Sequence, residues 1–141
     1  MPETTRSEVA SNPVAVPNPG IVPNPSVLPS PGLLVIWSSG DREVALKMVF
    51  MYTYNSKLKG WWNTVRFCIW GPSARLLASD NELQEKVRKM IEAGIEVVAC
   101  KACADSYPGV SPVLESLGVD VKYMGAPLTE MLKSNWSTLC F

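Results

Sequence analysis

Leu33-Leu34-Val35-Ile36-Trp37 is five apolar residues in a row, closed by Ser38-Ser39-Gly40. A run so short and so continuous marks a strand covered on both faces, because a strand with one wet face alternates apolar and polar residues. Asp41 then opens a stretch in which Val44, Ala45, Met48, Val49 and Tyr52 recur at helical spacing, and the pattern closes near Gly60. The same alternation repeats down the chain. Val65 to Trp70 reads as a second strand, stopped by Gly71-Pro72. Ser79 with Glu82 makes a capping-box pattern ahead of the helix face Leu83, Val87, Met90 and Ile91, which Gly94 terminates. Ile95 to Cys100 is the third strand, followed by a short helix with Pro112 in its first turn and Gly118 after its end. Val119 to Tyr123 is the fourth strand, Leu128 to Ser134 a further helix, and Ser137 to Phe141 a fifth strand. Strands alternating with helices predict an α/β fold of three α/β/α layers, with a mainly parallel five-stranded sheet, formed by residues 32–141.

Residues 1–31 are of a different kind, since eight of the twelve prolines lie there. Pro13, Pro17, Pro19, Pro23, Pro25, Pro29 and Pro31 step alternately by four and two, a period of six. Fixed proline φ angles favour an extended polyproline II segment, and two of its three-residue turns equal one period. No two of these prolines are three apart, so the PxxP ligand pattern is absent. The segment reads either as a disordered or semi-rigid extension or as an arm lying along its own domain or a neighbouring subunit.

Charge and composition remove several functions. Thirteen basic residues balance thirteen acidic ones, leaving no electrostatic case for a nucleic-acid partner. The absence of histidine excludes a Ser-His-Asp triad and every His-containing metal site. Met1 to Ala10 is polar, without the basic start and apolar core of a signal peptide, and no apolar run approaches the roughly 20 residues of a membrane span. A cytoplasmic protein with reduced thiols is the expectation.

In parallel sheets ligands bind beyond the carboxyl ends of the strands. Four loops meet that edge: Ser38–Asp41, Gly71–Ser79, Lys101–Gly109 and Met124–Thr129. The most chemical of them begins with Cys100-Lys101-Ala102-Cys103, where the third strand ends. A CxxC pair serves a dithiol switch, half of a zinc site, or a nucleophilic thiol with a resolving partner. Zinc would need Cys68 and Cys140 as well, and both sit inside apolar strands, where a cysteine reads as a small buried hydrophobe. No metal or other cofactor is therefore expected. Lys101 would favour a thiolate and Asp105 oppose it; two half-buried loop cysteines remain the competing reading. Gly71, Ser73 and Arg75 offer amides and a guanidinium to an anion, though without P-loop spacing. Ser38 and Ser39 either help Asp41 cap the first helix or contact a ligand. Tyr107, Met124 and Gly125 are candidate walls for a thiol pocket.

Several stretches together resemble the DsrE/DsrF-like family. They are Cys100-Lys101-Ala102-Cys103-Ala104-Asp105, Gly109-Val110, Leu117-Gly118-Val119, Tyr123-Met124-Gly125-Ala126-Pro127-Leu128-Thr129, Tyr54-Asn55-Ser56-Lys57 with Gly60-Trp61-Trp62, and Trp70-Gly71-Pro72-Ser73-Ala74-Arg75-Leu76. The resemblance spans residues 33–141. It implies a three-layer α/β/α fold, homo-oligomers that are commonly trimers or hexamers, and, in sulfur-relay members, a persulfide on the cysteine that ends strand three. Cys100 occupies that position, so the resemblance implies a persulfide carrier or sulfurtransferase that exchanges sulfur with donor and acceptor proteins. The arginine-rich turn of the relay members is replaced here by Lys101-Ala102-Cys103-Ala104-Asp105-Ser106-Tyr107-Pro108, which is closer to the small uncharacterised members. A thiol redox sensor using the CxxC pair and a non-enzymatic module binding a small ligand or a protein are the alternatives.

Overall fold

The computed structural model describes residues 29–141. The six-residue proline rhythm lies almost wholly outside the described residues. The strands are β1 (Leu33–Trp37), β2 (Val65–Ile69), β3 (Glu96–Cys100), β4 (Asp120–Lys122) and β5 (Ser137–Cys140). They form one all-parallel sheet in the order β4-β3-β2-β1-β5. This is the three-layer α/β fold expected from the strand–helix alternation.

The order dictates the layers. From β1 to β4 the chain steps in one direction across the sheet, and right-handed crossovers then put every connecting helix on one face. That face carries α1 (Arg42–Val44), a π-helical turn (Ala45–Val49), α2 (Phe50–Leu58), α3 (Pro72–Ser79), α4 (Asn81–Glu92), α5 (Lys101–Asp105) and α6 (Val110–Ser116). The last crossover returns past β1 to β5, so α7 (Gly125–Lys133) covers the opposite face alone. Two cores result. The larger stacks Trp37 and Phe67 with Phe50 set edge-on between them, above Leu77, Leu83, Val87 and Leu114. The smaller holds Leu34, Ile36, Cys68, Val98 and Cys100 under Met124, Leu128 and Met131 of the α7 segment.

Local chemistry explains where the elements depart from expectation. The first helix does not keep one 3.6-residue register: its π turn adds a residue, so Ala45, Val49, Phe50, Thr53 and Ser56 are buried while Met48 is 51% exposed. Gly71–Ser79 is not a loop, because Pro72 takes the first turn of α3, where its missing N–H costs nothing. The anticipated Ser79/Glu82 capping box does not form. Ser79 ends α3 with its hydroxyl on the Leu76 carbonyl. Asp80, extended at φ −127°, caps α4 by accepting the Leu83 N–H at 3.1 Å. Glu82 instead joins Asp80 in holding the Arg42 guanidinium. Lys101–Asp105 is a helical turn rather than loop, and α7 starts at Gly125 rather than Leu128. Among the described residues, no helix is long and apolar enough to cross a membrane.

Candidate functional site

Sheet topology offers two places for a ligand at the carboxyl edge, and the chain itself fills one of them. The strand order reverses between β1 and β5, where a crevice normally opens. Here the main-chain oxygen of Phe141 sits in it, accepting from the Ser38 hydroxyl (2.8 Å) and the Ser38 and Ser39 amides (2.8 and 3.2 Å). The Ser39 hydroxyl accepts the Asp41 N–H at 3.1 Å, and Asp41 caps the first helix. Ser38 and Ser39 are thus engaged by the chain itself.

Ser73 is likewise structural. Fully buried, its hydroxyl lies 2.5 Å from the Trp37 carbonyl, 3.0 Å from that of Trp70, and accepts the Trp70 N–H at 3.2 Å. It ties the ends of β1 and β2 together. Arg75 lays its guanidinium over the Tyr107 ring, 5.6 Å from the centroid, and Tyr107 packs against the larger core. Neither residue is grouped with the thiols.

The end of β3 is different. Cys100 is the last strand residue, buried in the smaller core, and it caps the short helix α5: the Cys103 N–H donates to its Sγ at 3.4 Å. Cys103, half-buried, packs against the same core as Met124, and Gly125 begins the helix above it. Burial pushes the Cys103 thiol up; a hydrogen bond to the Cys100 sulfur adds to that, while the Gly71 N–H works against it.

Cys68 belongs to this cluster, which local sequence reading missed. The β2–β3 register sets Cys68 beside Val98, two residues before Cys100 on the same face. Burial raises its thiol to about 12, with Cys100 and Cys103 contributing. The only local signal was the even spacing within strands, and it required the register to be useful. Cys140, expected to be buried, is exposed, because β5 is an edge strand that α7 does not reach across. Among the described residues, no group of three or more cysteine or carboxylate side chains is arranged to hold a metal ion.

The charges anticipated around the thiols compensate one another. Lys101 pairs with Asp105 at 2.9 Å and lies over the Tyr123 ring. Asp105 also accepts the Ser111 hydroxyl at 2.5 Å, which with Lys101 holds its carboxyl below the usual range. Lys122, opposite Cys100 in register, pairs with Asp120 at 3.1 Å. A cavity of about 340 Å³ under α7 is lined by Arg66, Ile95, Glu96, Val98, Met124 and Met131 among others, towards the amino ends of β2 and β3, and none of the thiols lines it.

Fold and site together define the class: a parallel three-layer α/β domain with a thiol cluster where its third strand ends. No family model matches the chain, and no curated protein does. Among solved structures it resembles a conserved protein of unknown function, BT1422 from Bacteroides thetaiotaomicron, with 36% identity over 77% of this chain and 93% of that one, at a TM-score of 0.74. The chain belongs to the family of that Bacteroides protein. Two more distant structures share the fold. The ychN protein from E. coli is 13% identical over 77% of this chain and 97% of that one, with a TM-score of 0.53. A protein of unknown function from Methanobacterium thermoautotrophicum, MTH1491, is 20% identical over 77% and 96%, with a TM-score of 0.56.

Proposed function

We propose that this protein is a sulfane-sulfur carrier of the DsrE-like kind, with Cys100 as the sulfur-bearing nucleophile. The observation that carries the reading is the placement of Cys100 at the end of β3, its Sγ taking the Cys103 N–H and facing the Cys103 thiol. The parallel α/β fold shared with ychN and MTH1491 is of the kind that the DsrE resemblance implies. A Cys100 thiolate attacks the outer sulfur of a donor persulfide R–S–SH; that S–S bond breaks, R–S⁻ leaves, and Cys100 becomes Cys100–S–SH. Delivery is the same exchange with an acceptor thiolate. Attack by Cys103 on the inner sulfur of that persulfide would release HS⁻ and leave a Cys100–Cys103 disulfide. The chemistry requires no cofactor. A cytoplasmic homo-oligomer exchanging sulfur with donor and acceptor proteins goes with this reading.

Intact mass after incubation with a persulfide donor tests it. The wild type gains about 32 Da, and Cys100→Ser does not. Equal adducts on both chains would remove Cys100 from the role. The thiol–thiol contact also favours a second reading, a dithiol redox switch. In that case a mild oxidant removes about 2 Da, mapped to a Cys100–Cys103 bridge, and persulfide donors add nothing.

A further inference from the structure

Between the first helix and α4 the packing is incomplete. A cavity of about 260 Å³ opens there, walled by the buried Phe50 and Met90, the half-buried Leu46 and Tyr54, and Met51. Leu46 belongs to the π turn, in which the Phe50 N–H donates to the Ala45 carbonyl five residues back. Such turns are rare and occur frequently at functional sites. This one borders the cavity directly, with Phe50 and Met51 following it in the chain.

The charge on the cavity wall is positive and unbalanced. Lys86 and Lys89 lie three residues apart on α4, which makes them neighbours on one helix face. Both line the cavity, and no carboxylate does; Tyr54 and Asn55 are its other polar side chains. A glutamate four residues before a lysine is its ordinary helical partner. Here those glutamates are engaged elsewhere, Glu82 with Arg42 and Glu85 with Arg88. Among the described residues neither lysine forms an ion pair, although Lys86 is half-buried. The cavity under α7 differs, because both cations on its wall are matched, Arg66 by Glu96 and Lys122 by Asp120. The chain is neutral overall, so the excess is local.

We propose that this cavity binds a small organic carboxylate. Its apolar body packs against Phe50, Met90 and Tyr54, and its carboxylate lies between the Lys86 and Lys89 ammonium groups. An apolar enclosure with a few convergent polar groups is the general form of a small-molecule site. Apolar walls lower the local dielectric and strengthen the charge-assisted bonds that two lysines donate. The volume falls a little below the about 300 Å³ at which such pockets commonly begin, so one ring or a short acyl chain fills it. A bare inorganic anion would leave the apolar wall uncovered, and a neutral apolar molecule would leave both lysines unmatched. No arginine lines the cavity, so the bidentate clasp common in phosphate sites is missing. Phe50 and Met90 belong to the larger core, on the sheet face opposite the thiols, which makes this site independent of the chemistry at Cys100.

NMR of the full chain with isotope-labelled methionine methyls tests the assignment, since Met51 and Met90 line this cavity and Met124 and Met131 the one under α7. The probes are phenylacetate, cinnamate and hexanoate, each beside its neutral amide. At least one carboxylate should shift the Met51 and Met90 methyls saturably. It should bind at least about tenfold more tightly than its amide at low salt. Lys86→Gln/Lys89→Gln keeps good helix formers on α4 and should erase that preference while leaving the amide's affinity unchanged. No saturable shift with any of the three carboxylates in the millimolar range would overturn the proposal. So would equal affinity for acid and amide, an unchanged preference in the double variant, or shifts confined to Met124 and Met131.

Discussion

Cys68 is the most deeply sealed thiol of the cluster, and its burial makes a measurable prediction. Its side chain is fully buried between β1 and β3 beneath α7, and burial raises its ionisation from 9.0 to about 12. In the unfolded chain the thiol ionises near its ordinary value, so the folded state holds the proton over a window in which the unfolded state has released it. The contribution of Cys68 to stability is then complete below pH 9 and is lost as pH rises towards 12. Each unit in that window removes at most about 1.4 kcal/mol, and the three-unit span sets an upper figure of about 4 kcal/mol. Cys68→Ala lacks this term and loses only packing, about 1 kcal/mol at pH 7. Urea unfolding of both chains at pH 8, 9, 10 and 11, with reductant present, isolates the effect, because lysine and tyrosine titrations cancel in the difference. The wild-type advantage of about 1 kcal/mol should fall by about 1.4 kcal/mol by pH 10, so that it inverts between pH 9 and 10 and the inversion deepens by pH 11. A gap constant to within about 0.5 kcal/mol from pH 8 to 10 would show that Cys68 is not desolvated as argued.

Two further substitutions probe how the two ends of the sheet are held, Ser73 at the carboxyl end and Gly32 at the amino end. Ser73→Ala leaves the Trp37 and Trp70 carbonyls short of a buried donor and should cost about 1–3 kcal/mol, read by denaturant midpoint; a loss under about 0.5 kcal/mol would mean water replaces the hydroxyl. Gly32→Ala sets a methyl 2.7 Å from the Thr64 carbonyl and 2.9 Å from the Trp136 ring, and should lower the midpoint by about 1–3 kcal/mol, whereas an unchanged midpoint would mean that β1 and Trp136 shift apart freely.

β1 and β2 were legible because each is a short apolar run closed by serine or by Gly71-Pro72, a signal contained in consecutive residues. The same was true of the Cys100 position, which needs only the end of β3. Other features depend on information that is not local. A π turn is one inserted residue, and nothing in Ala45-Leu46-Lys47-Met48-Val49 announces it, so Met48 read as core and Phe50 was passed over. Gly71-Pro72 read as a stop, although proline is also at home in a first helical turn; only the packing of Ala74 and Leu77 decides between them. Lys101 looked like a thiolate partner until Asp105 and Ser111 fell on the same side of α5 and α6.

The thiol cluster shows the limit most clearly. Cys68 and Cys100 are thirty-two positions apart, and only the pairing of Cys68 with Val98 puts them on one face. Which face that is follows from connection handedness: crossovers from β1 to β4 all lie on the far side, so the cysteines face a layer that one helix covers. A shift of either strand by one residue would turn its thiol under the opposite layer. The thin layer is also why depth grades the thiols along β2 and β3. Cys68, mid-strand, is sealed, Cys100 at the strand end is nearly so, and Cys103, one turn beyond, is half open. A reagent arriving from solvent would meet Cys103 first, with Cys100 behind it and Cys68 sealed deepest. The division of labour among chemically identical side chains thus comes from position along one strand pair, set by topology before any side chain is chosen.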